Sequence, residues 1–380
     1  MWNLRDMAFV IDLTRLSAAY ASRLLAEAGH RVVRVEPASG DDVRRTGPFL
    51  RQRLDLEHGA FHQFLNAGKE SLTLDVESAA GGEVLRALVR AADCVIVTRP
   101  FSRDAAWFHE ANPRIAVVEV DDVTNELCAF AQSGLLSLTG HPGKQPVVLG
   151  GHAALSVIGL YTAVAASAAL MGAELAQEGQ YVEVSSEQCL ESLVEQALLT
   201  YHTTAEVPER RGLLGMITAV SGAFPCADGY WMISVPNDMK NWNQLMDWID
   251  DPVLRSDPSL AEGSKRQQHR DFILGRLSEW SKNLKKEELV VGAQKQRIPA
   301  SPVATMLDLA DDPQLISRRF LQDVDHPLFG KTLFPMGASA TTFDVVLSPA
   351  PSLGQHTVAI LDELDYSQPE IQALFECGVT

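Results

Sequence analysis

Few side chains in this 380-residue sequence are spaced for chemistry, and each has an ordinary alternative. Gly150-Gly151-His152 precedes an uncharged run from Ala153 to Ala173. Two glycines ahead of an imidazole allow a ligand to approach closely, and a histidine so placed can act as base or nucleophile. The other reading is a helix-start histidine making one hydrogen bond, since no orienting carboxylate is visible beside it. His58 and His62, in "EHGAFHQF", stand at i and i+4, a spacing that can hold zinc. They lack the H-E-x-x-H pattern and an evident third ligand, so no metal is expected. Glu187, Glu191 and Glu195 recur on one helix face, where carboxylates can move protons. A solvated face or a subunit contact is the plainer expectation for such a stripe.

The elements that must position these residues show in the hydrophobic pattern. "AFVIDL" (8–13), "RVVRVE" (31–36), "SLTLDV" (71–76), "CVIVT" (94–98) and "RIAVVEV" (114–120) read as strands. The intervening helices include 17–29, stopped by Gly29, and 80–92. Alternating strands and helices imply a parallel sheet covered on both faces, with ligands bound at its carboxyl edge. Leu16-Ser17-Ala18-Ala19 stands where a G-x-G-x-x-G would be, so a nicotinamide or flavin enzyme is not expected. "GQYVEVS" (179–185) adds a strand, a long helix follows over 186–201, and 207–216 reads as a loop. Residues 222–235 read as a hairpin turning at Asp228-Gly229, and 238–250 and 267–285 as Trp-rich helices. "KNLKKEELVVGAQKQR" (282–297) reads as a solvated mixed-charge helix.

Bulk properties narrow the class further. A formal charge of −17 argues against a nucleic-acid or anionic-membrane binder, both of which need a basic surface. One phosphate-bearing small ligand needs only a few local cations and stays open. The five cysteines are scattered without a C-x-x-C pair, which fits reduced thiols in the cytoplasm. "MWNLRDMAFVIDLTRL" lacks the apolar core and cleavage site of a signal peptide. The 153–173 run is long enough to cross a bilayer but is rich in Ala, Gly and Ser, with no flanking cationic cluster or aromatic belt. A buried core helix, not a membrane span, is expected there.

Ordered fragments then bring a family into view. They include "VIDLTRL…LLAEAGHRVVRVEPASGDDVRRTGP", "LNAGKESLTLDV", "GLLSLTG", "CADGYWMISV", "ASPVATMLDLADDPQLISRRF" and "APSLGQHTVAILDEL". Together they resemble family III CoA-transferases, the group of formyl-CoA, carnitine and bile-acid CoA-transferases and α-methylacyl-CoA racemases. The resemblance implies an α/β fold: a Rossmann-like large domain over 1–204 completed by 331–380, and a smaller α+β domain over 205–330. It implies an interlocked dimer, and coenzyme A or an acyl-CoA as a substrate-type ligand with no covalent cofactor. It also implies Arg34, Arg45, Lys69 and Arg99, with Arg44 beside them, as contacts to the CoA phosphates.

The resemblance further implies an Asp that attacks the thioester from the start of the small-residue helix, in a pattern like A-D-x-x-x-G-L-Y. Gly159-Leu160-Tyr161 keeps the end of that pattern, and Leu155 falls on the Asp position. No Asp or Glu lies anywhere from Val147 to Ala173, so a small slip in alignment restores none. The segments matching the CoA loops are also altered or shortened. The expectation is a non-catalytic chain paired with an Asp-bearing homologue, as heterodimer or heterotetramer. The alternative is an active transferase or racemase/isomerase in which His152 substitutes.

Overall fold

Six parallel strands organise the larger part of this computed structural model, which describes residues 7–123, 125–213, 218–336 and 348–380. The opening six residues, read above for a signal peptide, and 214–216 of the expected loop lie outside the described residues. The chain divides into two compact units. One comprises Met1–Leu135, Leu149–Leu199 and Gln314–Thr380; the other comprises Leu136–Val148 and Thr200–Pro313. The divisions fall at 135/136, 148/149, 199/200 and 313/314.

The first unit runs β1 (Phe9–Leu13), α1 (Ala19–Glu27), β2 (Arg31–Glu36), α2 (Ala60–Leu65), β3 (Glu70–Thr73), α3 (Ala79–Ala91), β4 (Cys94–Arg99), α4 (Ala105–Ala111) and β5 (Ala116–Asp121). It continues through α5 (Glu126–Gln132), α6 (Leu135–Leu138, astride a division), α7 (Ala153–Ala176), β6 (Gln180–Val184), α8 (Ser186–Glu191) and α9 (Glu195–Thr204, also astride a division). The sheet order is β3-β2-β1-β4-β5-β6, and every neighbouring pair is parallel. Chain direction across the sheet therefore switches between β1 and β4, the place where open α/β sheets form a ligand crevice.

Strand periodicity sorts the apolar side chains into two cores. Ile11, Val33, Val95, Val97 and Val117 pack on one face with α3, Phe108 and the C-terminal helices at 357–363 and 368–376. Val10, Val32, Cys94, Ile96 and Val118 pack on the other with Leu25 of α1 and Ile158, Ala166 and Ala169 of α7. Residues buried on both faces make the strands continuous apolar runs, which is why they were readable. The helix expected over 186–201 forms as α8 and α9 joined by one tighter helical turn at Ser192–Val194, and Glu187, Glu191 and Glu195 are all exposed.

The 24-residue α7 corrects the expectation of a fully buried helix. Ala154, Ile158, Thr162, Ala166, Ala169 and Ala173 face the interior, while Leu160, Val164, Met171 and Leu175 are exposed on the opposite side. Only 44% of its most apolar window is buried. It packs closely on α1 because Gly159 has no side chain there.

The second unit holds the antiparallel sheet β7 (Val220–Cys226), β8 (Gly229–Val235) and β9 (Ala300–Pro302). Its hairpin pairs Cys226 with Gly229, so the turn is Ala227-Asp228, one residue earlier than expected. A core of Trp231, Trp242, Leu245, Ile273 and Leu289 covers it.

A buried ion cluster ties the ends of β1, β2 and β3 together. Asp12 is fully buried on β1. Its Oδ2 accepts from Lys69 Nζ at 3.0 Å and from Ser22 Oγ at 2.6 Å, and lies 3.0 Å from Arg34 Nη1. Thr14 donates to Oδ1 through its hydroxyl and its backbone N–H. Lys69 also donates to Ser22, Asn66 and the Ala19 carbonyl, and Arg34 to Asp41 and the Thr14 carbonyl. Burial alone would raise the Asp12 carboxyl, but Lys69, Arg34 and the two hydroxyls hold it far below the ordinary carboxylate range. Burial pulls the Lys69 ammonium down to about 8, against the attraction of Asp12. Beside this cluster Arg44 grips Glu36 with two hydrogen bonds of 2.7 and 2.8 Å.

Two stability predictions follow from these contacts. Asp12→Asn leaves Lys69 and Arg34 buried without their carboxylate, so denaturant unfolding should show a loss of about 3–5 kcal/mol. The wild-type contribution of Asp12 is present above its unfolded value near 3.8 and is lost as pH falls towards its depressed folded value. A Cβ at Gly159 would stand 2.7 Å from Tyr20 Cβ and 3.2 Å from the Ala21 backbone nitrogen. Gly159→Ala should therefore cost roughly 1–3 kcal/mol by forcing α7 away from α1.

Candidate functional site

The carboxyl edge of the sheet opens into a cavity of about 460 Å³. It is lined from β1 (Leu13, with Thr14 and Arg15 beyond), from the loop after β2 (Ser39, Gly40, Asp42, Arg45) and from the segments after β3 and β4 (Asp75, Pro100, Phe101). That is the edge at which the sheet's topology predicts a ligand.

The four predicted phosphate contacts do not converge there. Arg34 and Lys69 are buried on Asp12, so their charges are answered internally and neither presents a cation to the cavity. Arg44, next to them, is likewise buried on Glu36. Arg99 sits at the β4–β5–β6 edge, donating at 2.6 Å to both Asp121 and Glu183, with Glu119 4.0 Å away. Arg45 alone of the four lines the cavity, where its guanidinium donates to the carbonyls of Ser39 and Gly40 and has no carboxylate partner among the described residues. Arg15, not singled out from sequence, also lines it. It bridges Asp42 at 2.8 Å and Asp122 at 3.2 Å, linking the cavity wall to the segment after β5.

That segment leads into α5, and its first residue reaches the head of α7. Asn125 caps α5 by accepting from the Leu127 N–H at 2.9 Å, which sets Glu126 in the first turn. Glu126 Oε2 lies 2.8 Å from His152 Nδ1, and Oε1 accepts from the Leu155 N–H at 3.5 Å. His152 precedes α7 with φ 54° and ψ 43°, a left-handed backbone uncommon outside glycine. Its ring centroid lies 4.6 Å from that of Phe61 on α2. Leu155 occupies the third position of the helix and is 5% exposed, within the hydrophobic interior.

His152 therefore has the orienting partner that the sequence did not reveal. Glu126 lies 26 residues upstream in a stretch without periodicity. Its one local signal, an asparagine before an acidic first turn, marks a helix start and not a partner. His62 is buried between Arg44 and Asn66, and burial together with Arg44, Arg34 and Lys69 pushes its imidazole down to about 2. His58 instead pairs with Asp55 at 2.8 Å. No group of three or more potential metal ligands exists among the described residues.

Comparison with known proteins places this geometry. Residues 6–357 match CoA-transferase family III. The chain is 29% identical to the succinyl-CoA:mesaconate CoA-transferase of Haloarcula hispanica, over 93% of this chain and 94% of that one. It is 27% identical to subunit BbsE of the succinyl-CoA:(R)-benzylsuccinate CoA-transferase of Thauera aromatica, over 97% and 96% of the two chains. A crystal structure of a CAIB/BAIF family protein from Brucella suis superposes with a TM-score of 0.82 at 25% identity, covering 95% of this chain and 99% of that one. The fold, the carboxyl-edge cavity and these matches agree: the chain belongs to CoA-transferase family III.

Proposed function

We propose that this chain binds a CoA thioester at the carboxyl edge of its sheet and serves in CoA exchange between a thioester and a free carboxylic acid as the chain that does not supply the nucleophile. A related Asp-bearing chain would carry the transfer step, in a heterodimer or heterotetramer. Leu155 carries this reading: a buried alkyl group stands at the head of α7, where the family mechanism needs a carboxylate. The exposed apolar stripe Leu160, Val164, Met171 and Leu175 supports a partner, because such a face on a well-packed helix calls for cover. The name of the Thauera aromatica relative, a subunit, fits the same arrangement. Arg45 at the cavity, without a carboxylate partner among the described residues, is the cation best placed for a CoA phosphate.

A second reading, in which this chain is itself active, draws on the Glu126–His152 contact. Purification separates the two. The subunit reading predicts that this chain exchanges CoA between acids only when co-produced with an Asp-bearing homologue; exchange by the chain alone overturns it. Calorimetric titration with CoA should show binding, weakened roughly tenfold by Arg45→Ala through loss of a charge-assisted contact. Leu155→Asp should yield a hydroxylamine-trappable acyl-enzyme, and its absence despite CoA binding would show that more than the one carboxylate is lost.

A further inference from the structure

We propose that Glu126 and His152 form a general-base dyad that hydrolyses the CoA thioester bound by this chain, an activity separate from CoA exchange. The inference rests on the CoA-binding part of the reading above and is independent of the partner chain.

Three constraints fix the imidazole. The backbone at His152 is left-handed and follows Gly151, itself at φ 76°, an arrangement that L side chains rarely adopt. Phe61 backs the ring. Glu126 Oε2 holds Nδ1 at 2.8 Å. With Nδ1–H donated to the carboxylate, Nε2 is the basic atom, and it makes no hydrogen bond among the described residues. The His152 side chain is 44% exposed and that of Glu126 23%, so solvent reaches the imidazole while the carboxylate is partly sheltered.

The division of labour follows from the contacts. Both carboxylate oxygens of Glu126 are engaged, one by His152 and one by the Leu155 N–H, which suits an orienting group better than a nucleophile. Leu155 offers nothing to capture an acyl group. Gly150 and Gly151 leave open space where side chains would stand, so water can approach. The amino end of the 24-residue α7 lies beside them, and its dipole favours the oxyanion that forms during attack.

The step balances without further reagents. A water oxygen attacks the thioester carbonyl carbon while Nε2 takes one of its protons, and Glu126 stabilises the imidazolium. The carbon–sulfur bond then breaks, the thiolate leaves with the proton from Nε2, and the products are a free acid, a CoA thiol and neutral His152.

The test uses the full-length chain with acetyl-CoA and succinyl-CoA and no acceptor acid, reading thiol release. Release above the buffer rate is expected. His152→Asn, whose side chain tolerates left-handed backbone, should lower kcat by about a hundredfold or more, and Glu126→Gln by at least about tenfold, with KM little changed in each. In heavy-oxygen water a single turnover should label the product acid and leave Glu126 unlabelled. Label in Glu126, or hydroxylamine capture of an acyl group there, makes Glu126 the nucleophile and overturns the dyad. CoA binding without thiol release, or variants as fast as wild type, also overturns it. Absence of CoA binding by calorimetry defeats the CoA-binding reading itself, and hydrolysis with it.

Discussion

A carboxylate with no access to water sets the terms for the first unit. Asp12 is buried at the end of β1, and a lone charge there would be too costly to keep. It is held by Lys69, which leads into β3, by Arg34 of β2, and by hydroxyls from the loop after β1 and from α1. One acceptor thereby fixes the relative placement of three strands and a helix. The loops that wall the carboxyl-edge cavity start where this cluster ends. Its charges work as a set, so each cation is needed where it is and none is available for a ligand.

That arrangement explains where sequence reading succeeded and where it did not. The central strands β1 and β4 were legible as short, largely apolar runs buried on both sides, and period 2 assigns their alternate residues to two cores. The order of elements and the family likeness were legible for the same reason, since both depend on local pattern. The burial of Arg34 and Lys69 against Asp12 was not legible, because residue type inside a matched motif says nothing about which way the side chain faces. Glu126 was missed because its partnership with His152 depends on the fold bringing α5 to the head of α7. The exposed stripe on α7 was hidden by composition: an uncharged helix of small and apolar residues looks equally interior on every side.

The carboxyl edge answers most of its cations with carboxylates. Arg99 faces three carboxylates, Arg15 two, and the cavity wall itself carries Asp42 and Asp75. Arg45 remains as a cation whose partners among the described residues are carbonyls. A ligand bound here depends on few charge contacts and correspondingly more on shape and backbone groups. At the head of α7, Leu155 packs in the interior, while the paired His152 and Glu126 stay where water is present.

The outer face of α7 has a colloidal consequence. Leu160, Val164, Met171 and Leu175 form a sticky stripe on a chain whose formal charge is −17 at pH 7. At neutral pH like charge keeps uncovered copies apart, so contact through that stripe requires a surface matched well enough to overcome repulsion. The sequence pI is about 5.0, and near it the repulsion vanishes while the apolar face is unaltered. An uncovered stripe then favours indiscriminate self-association, and acidity sets the boundary between solution and precipitation.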